Sequence, residues 1–551
     1  MSDDTLPRWI ASTLEIKEGR DPLGLQTTTQ DRLMPLLLPG VLELSIRARY
    51  FSFHAFLLDE YRRRRLAPDN RSLSEFIKHR EWEFGLAVLS CPNGCGSVPV
   101  GADRLRPLMA RTSPPYERGE SVKSPLGGYG LYYRSPLAEF GVVARAGTFL
   151  GDVPLTVDVL TDGERALRVA AGFRSAVEGT EYYQRWMLST DPLPADVLRD
   201  YAQVACLCRL PHFADERDAV HDALFGSDAA STVMTPAPGI SLSTGDDTSE
   251  ALLEDSGGAI VQRRRSFAHY LSILDADPKV VDEESAYREA LWSPADPQSD
   301  GEALVAGQWS ALIAKDVWQD AICSVWSQFC SAGLAKDRAL GRGLTWAETE
   351  ELARGFVSGP PNLDPAMATA DLADQLAEDR ITFGQNVRPV QLSLEALRRW
   401  TVSTDTATSG LATALELNRR AAEKHGHGWT LASGVRSAWQ PSLASVREAL
   451  QSHVAGGAMV SDTMWWLVER FVLQTHERIA YSKLPEFTFR FRWEEGLLRF
   501  FDLGVGRFPL ASIRMRSFGL LSQDLGLWER STGGGAGLTE HGRSFIAEAL
   551  A

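Results

Sequence analysis

Apolar positions at steps of three and four run through most of this chain. From 40 to 66, Leu42, Ile46, Tyr50, Phe53, Leu57 and Tyr61 fall along one stripe, which predicts a long helix closed by Arg62 to Arg65. Positive charge in a last helical turn suits the negative end of the helix dipole. A second helix is predicted over 72–87, capped by Ser72 or Ser74, with Phe76, Trp82 and Leu86 toward a core. The glycine-rich 91–101 then turns the chain. The same spacing predicts helices over 195–224 (two pieces broken at Pro211), 261–274, the tryptophan-rich 309–332, 345–357, 392–423 and 458–479. Strict alternation occurs in Phe487-Thr-Phe-Arg-Phe-Arg-Trp493, a predicted strand with Leu497 to Phe501 as its hairpin partner. Period two puts Arg490 and Arg492 on one face and Phe489, Phe491 and Trp493 on the other.

The last forty residues add a more specific order of parts. A helix ending in Asp524-Leu-Gly-Leu-Trp528 is followed by a short strand, the hairpin tip Ser-Thr-Gly-Gly-Gly-Ala-Gly and Leu538-Thr-Glu-His-Gly542, which opens another helix. That order resembles a winged-helix domain, a fold that usually presents a helix to duplex DNA. A looser copy lies upstream, where Tyr132-Tyr-Arg-Ser-Pro-Leu-Ala-Glu-Phe-Gly-Val-Val143 precedes Leu160-Thr-Asp-Gly163 and a helix, with one residue missing between Thr161 and Gly163. In both, a glycine after the helix suits a left-handed C-cap, and Thr161 or Thr539 is expected to cap the helix that follows. Packing or dimerisation is the competing role for such modules. The fold expected is mainly α and multi-domain, a helical core with two winged-helix-like modules and small β-hairpins. Its segments are an N-terminal helical region (1–125), a winged-helix-like module (126–180), a helical region (181–300), a helical domain (301–455) and a C-terminal helix, hairpin and winged helix (456–551).

Composition narrows the classes. At 551 residues with 44% hydrophobic and 23% charged positions, the chain is long enough for several buried cores. No apolar run approaches a membrane span, and the N-terminus has neither a basic nor an apolar leader region, so a cytoplasmic protein without membrane contact is expected. A net charge of -15 argues against coating nucleic acid by bulk electrostatics. Locally the balance reverses: nine Lys and Arg against five Asp and Glu over 41–80, and eight against five over 474–516. Residues 226–260 hold six acids and no base and read as a linker.

Catalytic signatures are scarce. The chain has no phosphate-binding Gly-x-x-x-x-Gly-Lys-Ser/Thr loop and no nucleophile elbow. His476-Glu477 lacks the second histidine of a zinc protease, and His425-Gly-His427 sits in a polar turn. Six cysteines occur in three pairs. Cys91-Pro-Asn-Gly-Cys95 looks like a zinc knuckle, and Cys206, Cys208 and His212 would complete a tetrahedral site if the fold joined them. The spacings are non-standard and buried single thiols are commoner, so no metal, no cofactor and no stoichiometric zinc are expected.

Together, Arg47-Ala-Arg-Tyr-Phe-Ser-Phe, His79-Arg-Glu-Trp-Glu-Phe-Gly, Tyr132-Tyr-Arg-Ser-Pro-Leu, Arg263-Arg-Arg-Ser-Phe and the closing module resemble a family of large bacterial proteins encoded in anti-phage defence islands, near helicases and nucleases. The resemblance implies a setting and carries over no catalytic residues. The function expected is a DNA-binding or scaffold subunit of such a defence system, beside a separate enzymatic partner. Duplex DNA and proteins of the complex are the expected partners. A metal-dependent nuclease assembled from dispersed carboxylates and a protein-interaction platform are the alternatives. Arg490, Arg492, Arg514 and Arg516 are the first candidates for nucleic-acid contact. Arg47 and Arg49, set among aromatics, are candidates for phosphate contact or for pairing with a carboxylate such as Glu43.

Overall fold

The computed structural model describes residues 21–150, 153–226, 258–358, 363–384, 386–437, 440–504, 507–510, 512–531 and 534–551. It is 63% helix and 6% strand, so the fold is mainly α, with two-stranded hairpins as its only sheets among the described residues. The acidic segment expected to be a linker lies, from 227 to 257, outside the described residues.

The first apolar stripe becomes helix α1 (Arg49–Arg63), shorter than the 40–66 expected. Ser45 N–H closes a turn on the Leu42 carbonyl, and the N–H of Ala48, the N-cap, donates to Asp524 Oδ2 at 3.0 Å. A carboxylate there satisfies one of the helix's orphan donors and complements its dipole, which sets the start. Helix α2 (Asn70–Leu89) is capped by Asp69, whose side chain accepts from Ser72 N–H, rather than by Ser72 or Ser74. Next come α3 (Arg134–Glu139), the short strands β1 (Val143–Ala144), β2 (Phe149–Leu150), β3 (Val153–Pro154) and β4 (Val159–Leu160), and α4 (Glu164–Val177). The two pieces around Pro211 are α5 (Ala195–Ala205) and α6 (Ala214–Phe225), joined by a 3₁₀ segment. Then follow α7 (Ala259–Ala276), the 41-residue α8 (Asp300–Leu340), α9 (Trp346–Arg354), α10 (Leu394–Thr404), α11 (Ala407–Ala421), α12 (Val460–Leu467) and α13 (Gln474–Ser482). Strands β5 (Phe491–Glu494) and β6 (Leu497–Phe500) form the expected hairpin, pairing Phe491 with Phe500 and Arg492 with Arg499. The chain closes with α14 (Met515–Asp524), β7 (Trp528–Arg530), β8 (Ala536–Leu538) and α15 (Glu540–Leu550).

These elements form two compact units, each gathered from distant stretches. One comprises 21–37 and 283–513. Its axis is α8, buried on every side from 308 to 327 with Trp309, Trp318 and Trp326 almost wholly enclosed, as an apolar helix inside a core must be. The β5–β6 hairpin sets Phe491 and Phe500 each 5.5 Å from the Phe329 ring of α8.

The other unit comprises 38–226, 258–282 and 514–551. Its core is aromatic: Phe53 of α1 stacks on Phe84 of α2 at 4.2 Å and meets Phe173 of α4 edge-on at 5.4 Å.

This second unit contains the two helix–hairpin–helix segments that the sequence suggested, and their helix ends match bond for bond. After α3, Gly141 and Val142 N–H return to Ala138 and Leu137 carbonyls at 3.0 and 2.9 Å; after α14, Gly526 and Leu527 return to Gln523 and Ser522 at 3.0 and 2.9 Å. Both glycines have positive φ, 71° and 75°, the left-handed cap that closes such a helix end. Thr161 and Thr539 hydroxyls donate to the carbonyls of Gly141 and Gly526, at 2.8 and 2.7 Å. Only Thr539 also caps the next helix, accepting from Gly542 N–H at 3.0 Å. Thr161 does not: α4 starts after Gly163, which makes no side-chain cap, because the missing residue shifts the threonine off the cap position. A Cβ on Gly542 would lie 2.0 Å from the Leu527 carbonyl oxygen, whereas one on Gly537 would meet nothing within 4 Å. Gly542→Ala is therefore expected to destabilise this unit by about 2–4 kcal/mol and Gly537→Ala by less than about 1 kcal/mol, read as thermal unfolding midpoints. Equal midpoints for the two variants would refute the backbone contact.

Candidate metal centre

Four of the six cysteines converge. Helix α2 ends at Leu89, and the chain turns through Cys91-Pro-Asn-Gly-Cys95 with Gly94 N–H donating to the Cys91 carbonyl at 3.1 Å. Gly94 and Gly96 have φ of 57° and 66° with open space around them, so backbone conformation, not crowding, calls for glycine there. Opposite, α5 stops at Ala205 and the chain swings through Cys206 and Cys208 into the 3₁₀ segment. Cys91 Sγ lies 3.8 Å from Cys208 Sγ, Cys95 Sγ 3.6 Å from Cys206 Sγ, and all four sulfurs fall within 4.8 Å of one another. The isolated thiols expected from the spacings are thus corrected: two non-standard pairs, 111 and 117 residues apart, make one cluster. His212 is not part of it. Cys323 and Cys330 are buried in α8, in the other unit.

The surroundings set the thiols' acidity. Burial pushes the Cys206 thiol well up and the Cys208 thiol up to about 11. Burial acts the same way on Cys95, but hydrogen bonds from Ser97, through side chain and backbone, bring it down to about 7. Ser97 N–H points at Cys95 Sγ from 3.5 Å. A small cleft of about 110 Å³, bordered by Cys91, Cys95 and Arg106, gives access from solvent.

Arginines anchor both cysteine turns. Arg47 Nη1 donates to Ser97 Oγ at 3.2 Å, and the same guanidinium grips Asp524, at the end of α14, with Nε and Nη2 each at 2.8 Å. Burial opposes the Arg47 charge and the Asp524 carboxylate more than offsets it, so its pKa lies above the ordinary value. Arg49 is fully buried; Nη1 donates to the Cys206 carbonyl at 2.7 Å, while Nε and Nη2 hold Glu216 at 3.1 and 2.9 Å.

The other arginines singled out from the sequence are also engaged, with one exception. Arg490 donates to the Gly504 carbonyl at 2.8 Å. Arg492 pairs with Glu494 and lies over the Phe489 ring at 5.3 Å. Arg514 pairs with Glu43 at 3.3 Å, so Glu43 serves this arginine rather than Arg47 or Arg49. Arg516, in the first turn of α14, is exposed. Arg490 and Arg492 belong to one compact unit and Arg514 and Arg516 to the other.

His476 has both ring nitrogens occupied, Nδ1 by the Pro22 carbonyl at 3.0 Å and Nε2 by Arg490 N–H at 2.9 Å, which leaves no lone pair for a metal. Among the described residues, the four cysteines are the only group of three or more His, Cys, Asp or Glu side chains arranged to hold an ion. Compared with known protein families, curated proteins and solved structures, the chain matches none.

The Arg47–Asp524 pair joins the cysteine knuckle, α1 and α14, with side chains only 13% and 8% exposed. Asp524→Asn is expected to cost about 3 kcal/mol, because it leaves a buried guanidinium without its counter-charge. The double variant Arg47→Met/Asp524→Leu should cost less than the sum of the two single changes. Additive losses in chemical denaturation would refute the coupling.

Proposed function

We propose that this chain is a scaffold subunit, a helical framework that holds other components rather than carrying out chemistry itself. The observation that carries this reading is the setting of α14, the helix that a winged-helix domain would present to DNA. Ser517, Phe518, Gly519, Leu521, Ser522 and Asp524 are all buried in their own unit. Ser517 Oγ donates to the Leu42 and Glu43 carbonyls at 3.1 and 3.2 Å, Phe518 stacks on Tyr270 at 5.3 Å, and Asp524 holds Arg47 and Ala48. A helix covered in this way offers a groove little beyond Arg516. The other unit leaves Tyr481, Leu484, Phe487 and Leu503 each about half exposed (44–52%) in one stretch of chain, a grouping that favours contact with protein. The anti-phage setting, with a separate enzymatic partner, is the one that the resemblance to defence-island proteins implies.

Duplex DNA binding is the second reading. Arg516 favours it, as does the charge balance: 38–226, 258–282 and 514–551 carry equal numbers of basic and acidic side chains in a chain whose net charge is -15. Fluorescence anisotropy with labelled duplex over a salt series separates the two. The scaffold reading expects no salt-dependent binding and no cleavage with Mg²⁺. Binding that weakens with salt, and whose log–log slope falls by about one in Arg516→Ala, would replace it with the DNA reading. Cleavage would overturn both.

A further inference from the structure

We propose that Cys91, Cys95, Cys206 and Cys208 bind one zinc ion as four thiolates in a closed tetrahedral site that ties the end of α2 to the end of α5. This inference does not rest on the scaffold reading.

The sulfur positions carry it. A Zn–S bond of about 2.3 Å in a tetrahedron requires sulfurs about 3.8 Å apart. The two closest pairs here stand at 3.8 and 3.6 Å, and the widest separation is within 4.8 Å. Four sulfurs this close leave room at their centre for one ion and none for a polynuclear iron–sulfur cluster, whose ligands stand apart by the width of the cluster. A disulfide is about 2.05 Å long, so the same distances describe separate thiols. Soft thiolates with no oxygen or nitrogen ligand select zinc over magnesium, calcium or manganese. With all four positions filled by protein, no site remains for water or substrate, which makes the ion structural rather than catalytic.

The backbone around the sulfurs is built for this arrangement. The left-handed Gly94 and Gly96 flank Cys95, and Ser97 N–H, 3.5 Å from its sulfur, adds a hydrogen bond to a thiolate ligand. Two largely buried guanidinium groups fix both halves by hydrogen bonds: Arg47 holds the Ser97 hydroxyl and Arg49 the Cys206 carbonyl. The ion would close chain loops of more than a hundred residues, where a cross-link removes the most freedom from the unfolded chain.

The test uses the full chain, purified anaerobically with a thiol reductant and without added metal. Elemental analysis is expected to find one zinc per chain, released when the thiols are titrated with a mercurial. Cys323→Ser should keep the ion and Cys208→Ser should lose it. Because loss of zinc from Cys208→Ser does not by itself separate a lost ligand from unfolding, the ligand set is read on the unaltered protein reconstituted with Co²⁺. Four-thiolate tetrahedral coordination predicts intense visible d–d bands with strong sulfur-to-metal charge transfer. Protein that stays folded but metal-free after anaerobic incubation with excess Zn²⁺ would overturn the proposal. So would iron at one equivalent, or a weak octahedral cobalt spectrum.

Discussion

One buried guanidinium organises the unit that holds the cysteines. Arg49 opens helix α1, has no exposed side-chain surface, and meets Glu216 of α6 and the carbonyl of Cys206 at once. Taking a charge out of water is costly, and the cost is met only when an opposite charge in good geometry and further hydrogen bonds support it. Here Glu216 takes two of the donors and the cysteine turn takes a third, while Ser52 donates to the same carboxylate at 2.6 Å and the Phe173 and Phe213 rings lie 5.3 and 5.0 Å from the guanidinium carbon. The carbonyl of one proposed metal ligand is therefore held by the first turn of the helix about which the unit packs.

Arg47, two residues earlier, repeats the device one layer outward. It reaches the other cysteine turn through Ser97 and the C-terminal helix α14 through Asp524, whose carboxylate also starts α1. The four sulfurs thus sit at a junction of α1, α2, α5 and α14. A structural ion at that junction would hold these helix ends in a fixed arrangement, as the proposed scaffold role requires. It also accounts for four cysteines, drawn from two turns, whose sulfurs lie together.

The same economy explains why several arginines of the basic stretches are tied up in the fold. The stretches 41–80 and 474–516 read as basic because position along the chain shows charge but not its partner. In the folded units Arg47, Arg49 and Arg514 are matched by Asp524, Glu216 and Glu43, and Arg492 by Glu494. Three of those four carboxylates lie more than 150 residues from the arginine they neutralise. Arg516 keeps its solvent-facing position.

What the sequence alone determined is what local physics controls. Periods of three and four residues identified nearly every long helix, alternation found the β5–β6 hairpin, and glycine with threonine marked both helix–hairpin–helix segments down to their matching C-caps. Where a helix boundary depended on a distant group, local pattern failed: α1 begins at Arg49 because Asp524 caps Ala48, and no nearby residue encodes that. The four cysteines were visible as a conditional site, but whether the fold joined them was not, for the same reason. Cys91-x-x-x-Cys95 and Cys206-x-Cys208 each have non-standard spacing, and His212 beside the second pair was a misleading ligand. Only the packing of α2 against α5, driven by apolar burial and fixed by Arg47 and Arg49, brings the sulfurs within a tetrahedron's edge of one another. A ligand set depends on separations in space, and for residues more than a hundred positions apart those separations are a property of the tertiary structure.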